Sequence, residues 1–107
     1  MENYEETIFK IIVYAGEGKG FSYDALVAAE EGHFDEVTHC FEQADAAFTK
    51  AHKIQTEIIQ AETRGEGEPV SLLMVHAQDQ LMTAMESRTL IEHLVSLQKQ
   101  IKEIEGE

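Results

Sequence analysis

The residues that interrupt helices fall in a few short stretches of this chain, and their distribution constrains the fold more than any other feature. The chain has one proline and seven glycines, and the clearest break is the run Gly65-Glu66-Gly67-Glu68-Pro69. Between Gly32 and Gly65 apolar residues recur at alternating steps of three and four, the spacing of one helix face. The pattern predicts one long helix there. Its apolar positions are Phe34, Val37, Phe41, Ala44, Phe48 and Ala51.

A third helix is expected after Pro69, because proline is tolerated in the first turn of a helix. The same alternating spacing continues almost to the end of the chain. It passes through Leu90, Leu94, Leu97, Ile101 and Ile104.

The first segment is expected to form two helical pieces. Residues 4–15 read as helix, but Gly16, Gly18 and Gly20 follow, and each glycine disfavours helix by about 1 kcal/mol relative to alanine. We therefore predict a bend there, with Ser22 capping a restart that runs to Gly32.

The whole chain, residues 1–107, is expected to form one all-α domain, an antiparallel three-helix bundle, because no strand-like alternation interrupts the helical spacing. The third helix carries two rows. One row, through Leu73, Ala77, Leu81 and Ala84, is apolar, and the neighbouring row holds His76. Two occupied faces predict neighbours on both sides, one of them a further copy of the subunit.

The charge of the chain bears on its partners. The net charge is -13 at pH 7, which disfavours binding of nucleic acid and anionic lipid. The same acidity suits a positively charged protein partner and equally well serves solubility alone. The single cysteine excludes an intrachain disulfide. A reducing, cytoplasmic location is expected, because no run of about 20 apolar residues and no basic leader are present.

A polar insertion in the third helix is the candidate for chemistry. His76, Asp79, Thr83 and Glu86 interrupt a row that is otherwise apolar, and such groups cost stability unless they find partners. A histidine offers a neutral nucleophile near pH 7. His76 and Asp79, three residues apart, also fit a plain hydrogen-bonded pair.

Residues 72–85, with the sequence LLMVHAQDQLMTAM, resemble the signature of lactose/cellobiose-type enzyme IIA components of the bacterial phosphoenolpyruvate-dependent sugar phosphotransferase system. A second block, residues 51–62, also resembles that family. Ala15-Gly16 and Ala25-Leu26 resemble its first helix more weakly.

The resemblance implies a homotrimer in which His76 accepts phosphate from the phosphorylated histidine carrier protein and passes it to a cysteine of an enzyme IIB component. It implies that Asp79 gathers at the trimer axis, where Mg²⁺ or another divalent cation offsets the repulsion between carboxylates. Gln78 and Gln80 are supporting residues in this interpretation. The sugar, of the lactose, cellobiose or chitobiose class, is not expected to contact the chain.

The chain departs from the family pattern at two places. Gln80 stands where a second histidine usually follows the aspartate, and Gly18-Lys19-Gly20 replaces an Ala-Arg-Ser run. The second difference exchanges a bidentate arginine for the point charge of a lysine.

Other candidate residues favour structural roles. His52 is interpreted as a packing or polar contact, and Cys40 as a small core residue. Glu36 and His39 have the spacing of a di-iron carboxylate site, but such a site needs further carboxylates on facing helices, and Glu30 with His33 spans the Gly32 break. The alternative function is a structural or regulatory helical trimer, distinguished by a His76 that is not phosphorylated.

Overall fold

The chain folds into three long helices in the computed structural model, which describes residues 3–106. The helices are α1 (Tyr4–Glu30), α2 (Phe34–Thr63) and α3 (Leu72–Glu105), and no strand occurs within the described range. The predicted all-α bundle is therefore confirmed. Met1 and Glu2, on which the absence of a basic leader partly rests, lie outside the described residues.

The predicted bend in the first helix is wrong, because α1 runs unbroken through all three glycines. Gly18 is buried against α2, where a Cβ would lie 2.5 Å from the ring of Phe48. The ring occupies the space that a side chain at position 18 would need, so this packing offsets the low helix propensity of glycine. Ser22 caps no restart. Its hydroxyl donates to the Gly18 carbonyl oxygen at 2.7 Å, one turn back inside the helix.

Each of the first two helices is followed, two residues after its end, by a glycine. Gly32 and Gly65 have φ values of 81° and 77°, a left-handed conformation that costs glycine little. The His33 amide donates to the Ala28 carbonyl at 2.8 Å, and the Glu66 amide donates to Ala61 at 2.9 Å. These bonds satisfy the last carbonyls of α1 and α2, so both stops follow from local chemistry.

The start of α3 differs from the prediction. Pro69 precedes the helix, whose first residue is Leu72. Ser71 is the N-cap, and its hydroxyl oxygen accepts a hydrogen bond from the Met74 amide at 3.1 Å. The cap satisfies one of the free amides in the first turn and thereby sets where α3 begins.

The core lies mainly between α1 and each of the other helices, whereas α2 and α3 approach one another at few points. One cluster joins Ile8, Ile11 and Ala15 of α1 to Ala77 and Leu81 of α3, together with residues of α2. A second cluster, at the other end of the rod, joins the end of α1 to the start of α2 and to Val95. The subunit is 61 Å long and about 20 Å wide.

The helix α3 extends along the rod with one face uncovered. Ala77, Leu81 and Ala84 are buried, as predicted for the row that faces the chain's own bundle. The neighbouring row, which we call the outer row of α3, is exposed; it begins with His76 and includes Leu90, Leu94, Leu97, Ile101 and Ile104. Within residues 3–106 no helix has the length and apolar character needed to span a membrane.

Candidate functional site

His76 lies in the second turn of α3 and is open to solvent. The next residue, Ala77, is completely buried against α1. This packing fixes the rotation of α3 about its own axis and thereby holds the imidazole of His76 on the outer surface. The side chain is accessible to another protein without any movement of the bundle.

Gln78 projects into a depression between α2 and α3. The depression has a volume of about 420 Å³, and its lining includes Ile58, Ile59, Glu62 and Met82. The Gln78 side-chain carbonyl oxygen is buried and has no hydrogen-bond partner among the described residues. Its amide nitrogen has a weak contact, 4.0 Å, with the sulfur of Met82.

The two motif residues His76 and Gln78 face different sides of α3. Successive helical residues rotate by about 100°, so side chains two positions apart diverge by about 200°. Gln78 therefore faces the α2 side, and His76 faces away from it. Within one subunit the geometry does not bring Gln78 to the imidazole.

Asp79 and Gln80 lie nearer to His76 around the helix, because positions three and four apart share a face. Asp79 is exposed and Gln80 is partly buried. The Thr83 hydroxyl donates to the Asp79 backbone carbonyl oxygen at 2.8 Å. This hydrogen bond does not involve the Asp79 carboxylate. Of the two predicted supporting residues, Gln78 and Gln80, only Gln80 lies on the His76 side of α3.

Asp79 is the residue for which the sequence predicts a metal ion. Within residues 3–106 no three side chains of His, Cys, Asp or Glu are grouped closely enough to hold a metal ion. A cation at Asp79 would therefore need carboxylates from other subunits.

Sequence reasoning missed a polar cluster that ties α2 to α3. The Arg88 guanidinium donates to both carboxylate oxygens of Asp45, at 2.8 and 3.0 Å, and to Glu92 at 2.6 Å. Its central carbon lies 4.4 Å from the centroid of the Phe41 ring. The hydrogen bonds to Asp45 raise the pKa of Arg88 further above its usual value. Asp45 and Arg88 are 43 positions apart, so no spacing rule could have paired them.

Cys40 and His52, the two residues for which the sequence predicts structural roles, differ in burial. Cys40 is partly buried and packs against the cluster of Ala25 and Val37, as predicted. Burial, together with nearby Asp24 and Glu36, raises the pKa of its thiol and disfavours the nucleophilic thiolate. His52 is exposed at a second depression between α2 and α3, which Met85 and Arg88 also line, and it takes no part in the core.

Comparison with known proteins identifies the family of the chain. Residues 6–99 match the family described as PTS system, Lactose/Cellobiose specific IIA subunit. The chain is 39% identical over 105 residues to the lichenan-specific phosphotransferase enzyme IIA component of Bacillus subtilis, covering 98% of this chain and 96% of that protein.

Two solved structures share the fold. The cellobiose-specific enzyme IIA of Bacillus anthracis superposes with a TM-score of 0.90 at 35% identity, covering 95% of this chain and 94% of that one. The chitobiose IIA of Escherichia coli, solved in complex with HPr, superposes with a TM-score of 0.83 at 34% identity, covering 95% and 99%. The match spans all three helices, and the chain belongs to the lactose/cellobiose-specific enzyme IIA family of the phosphotransferase system.

Proposed function

We propose that His76 is the residue of this enzyme IIA component that carries the phosphoryl group. As a component of the sugar phosphotransferase system, the chain takes phosphate from the histidine phosphocarrier protein HPr and passes it to an enzyme IIB component during sugar uptake. The observation that carries the residue assignment is the exposed imidazole of His76, held outward by the buried Ala77 within the His-Ala-Gln-Asp block. Both partners belong to a cytoplasmic relay, so we place the chain in the cytoplasm.

The proposed reaction consists of two phosphoryl transfers. A neutral ring nitrogen of His76 attacks the phosphorus of the donor phosphohistidine, a new P–N bond forms, and the old P–N bond breaks with its electron pair returning to the donor imidazole. A cysteine thiolate of the IIB component then attacks the same phosphorus, and the electron pair of the P–N bond returns to His76. Such transfers need alignment of the two nucleophiles and neutralisation of charge on the phosphoryl oxygens.

The outer row of α3 supports assembly into a homotrimer. Leu90, Leu94, Leu97 and Ile101 are each about half exposed in the isolated subunit. Apolar residues at alternating steps of three and four form the seam along which parallel helices associate. Three copies of α3 around one axis would bury this row.

The trimer also accounts for the divergence of His76 and Gln78. When three α3 helices surround an axis, the flank of one helix meets the opposite flank of the next. In this arrangement Gln78, whose buried carbonyl oxygen has no partner among the described residues, lies toward the His76 of a neighbouring subunit. Its side-chain amide would then donate to the phosphoryl oxygens there, while Gln80 acts within its own chain.

The trimer would collect three Asp79 carboxylates on the row that faces the axis. A divalent cation such as Mg²⁺ would relieve their repulsion, because hard cations favour carboxylate oxygen and water. Asp79 is exposed in the single subunit, so its carboxylate is available for this role. The cation would stabilise the assembly and takes no part in the transfers described above.

The decisive experiment is incubation of the purified chain with phosphoenolpyruvate, enzyme I and HPr, followed by mapping of the acid-labile phosphate. We expect one phosphate per chain, on His76. Absence of any label would favour the alternative of a structural or regulatory trimer, and label on His52 would overturn the residue assignment.

A further inference from the structure

The thioether of Met82 lines the same depression between α2 and α3 as Gln78. Met82 is 60% exposed, more than any other methionine that the structure describes. Its sulfur lies 4.0 Å from the side-chain amide nitrogen of Gln78, one helical turn back along α3. An oxidisable sulfur is therefore in contact with a residue of the His-Ala-Gln-Asp block.

This contact holds the Gln78 side chain only weakly. A thioether sulfur is a weak hydrogen-bond acceptor, and 4.0 Å is a long separation. The side-chain carbonyl oxygen of Gln78 is buried without a partner among the described residues. Within the part of the chain that the structure describes, neither end of the side chain has a strong partner, so the amide can turn toward a better acceptor.

Oxidation of Met82 to the sulfoxide would supply such an acceptor. An N–H···O bond spans about 2.9 Å between its heavy atoms, so the 4.0 Å between sulfur and nitrogen leaves room for one oxygen bonded to the sulfur. Residues four apart share a helix face, and the new bond would need rotation of the two side chains alone. A weak contact would thus become a strong hydrogen bond.

We propose that Met82 is an oxidation site whose sulfoxide withdraws the Gln78 amide from the phosphoryl group. This inference rests on the proposed function, in which Gln78 serves the His76 of a neighbouring subunit, and it adds a reversible control of that transfer. In the reduced chain the amide donates to the phosphoryl oxygens. In the oxidised chain it donates to Met82 of its own helix.

The oxidant is a peroxide, of which hydrogen peroxide is the simplest. The sulfur lone pair attacks one peroxide oxygen, an S–O bond forms, and the O–O bond breaks with its electron pair leaving on hydroxide. Hydroxide takes the proton of the transferred oxygen, so the products are the sulfoxide and water. The sulfur loses two electrons and the peroxide gains them. Methionine sulfoxide reductases reverse the change.

The other sulfur atoms of the described residues are less suited to this role. Met85 is 41% exposed but stands seven residues, about two helical turns, beyond Gln78. Met74 is partly buried and packs against the core. Cys40 is partly buried, and the raised pKa of its thiol disfavours the thiolate that reacts with peroxides. We therefore expect Met82 to react first.

The Met82 sulfur stays accessible in the proposed trimer. Met82 follows Gln78 by one turn on the same flank of α3 and lies outside the outer row. That flank must remain open near the His76 of the neighbouring subunit, because the phosphohistidine of the donor protein reaches the imidazole there. A peroxide is far smaller than the donor protein and enters by the same opening.

The test treats the intact trimer with hydrogen peroxide and measures single-turnover phosphate transfer from phosphorylated HPr. Mass mapping of peptides should place the first oxygen on Met82. The transfer rate should fall by about tenfold, the scale of losing one hydrogen bond, at unchanged oligomer mass, and methionine sulfoxide reductases should restore it. Met82→Leu should keep its rate through the treatment, whereas the matched control Met85→Leu should stay sensitive.

Gln78→Leu tests whether the loss acts through the amide. This variant should transfer slowly from the start and lose no further rate on oxidation. In the wild-type chain the NMR signal of the Gln78 side-chain amide should move on oxidation, a readout that needs no phosphate transfer.

Four results would overturn the proposal: first oxidation at another methionine, an unchanged rate or an unmoved amide signal after Met82 is oxidised, a further loss in Gln78→Leu, or dissociation of the trimer. A chain that accepts no phosphate before treatment would instead refute the proposed function. The amide signal would then still report whether oxidised Met82 captures Gln78.

Discussion

The two halves of the outer row of α3 share one face of one helix but differ in chemistry. The first half carries His76, Asp79, Thr83 and Glu86, all exposed. The second half carries leucine and isoleucine, from Leu90 to Ile104, and these side chains are also exposed in the single subunit. The side chains of both halves are exposed in the isolated chain, but the exposure has a different consequence in each half.

The difference indicates that the two halves of the row have different functions. Exposed leucines and isoleucines represent apolar area that association would remove from water, at about 25 cal/mol per Å². Polar groups gain nothing from such burial unless they are paired. The second half is thus suited to holding subunits together, and the first half carries the polar groups to which we assign the proposed phosphate transfer.

The largest expected effect comes from His76→Ala in the polar half. Phosphate labelling by HPr should be abolished, because the accepting nitrogen is gone, while helicity and oligomer mass are retained since the side chain is exposed. Radiolabelling and light scattering check the two outcomes. His52→Ala, which alters an exposed histidine on α2, is the control and should label normally.

A charge introduced into the apolar half of the row should prevent assembly of the trimer. Leu97→Glu would place carboxylates in the buried seam of the trimer, at a cost of several kcal/mol. Light scattering should then report about 12.0 kDa, the mass of one chain, where the unaltered protein gives about three times that mass. Ser96→Glu adds the same charge at the adjacent exposed position and should remain trimeric. If Leu97→Glu stays trimeric as well, the outer row is not the interface.

Asp79→Leu replaces a polar side chain in the first half of the row by an apolar one. The variant tests whether the apolar half can be extended toward His76. A chelator should lower the melting temperature of the wild-type trimer by a few degrees, which corresponds to about 1 kcal/mol. The leucine variant should lose this dependence and be equally or more stable, because replacing buried charge by apolar packing is often favourable. Asp79→Ala should be less stable than Asp79→Leu because it leaves a void. A wild-type trimer without metal and indifferent to the chelator would contradict this role for Asp79.

The smallest effect is expected from Ser71→Ala, at the end of α3 nearest to His76. Loss of the cap to the Met74 amide should reduce the free energy of unfolding by about 1 kcal/mol. Hydrogen exchange should accelerate at Val75, whose amide bonds to the Ser71 carbonyl, and remain unchanged near Leu97. Ser96→Ala, an exposed serine in the interior of α3, should change stability little. Equal loss of protection at both ends of α3 would show that the halves are not independent.

Much of the fold was predictable from local signals. The spacing of apolar residues identified α2 and α3, and the glycines at 32 and 65 marked the two stops that the left-handed backbone there confirms. The cap at Ser71 also has a local signal, because serine is a preferred N-cap. The prediction nevertheless started α3 directly after Pro69, whereas the helix begins at Leu72. The location of His76 on α3 followed from the sequence, whereas the direction of its side chain relative to the rest of the bundle required the observed burial of Ala77.

The amino-acid sequence by itself determined three helices, their two connections, the two faces of α3 and membership of the phosphotransferase family, because each depends on residues close together or on a contiguous motif. Tertiary structure alone decided that Gly18 is a packing position and not a break, since the reason lies in Phe48, thirty residues away on α2. It likewise decided that Arg88 joins Asp45 across two helices. The physical reason is that helix propensity is a local free energy of about 1 kcal/mol per residue, and a close contact with a distant side chain is large enough to reverse it.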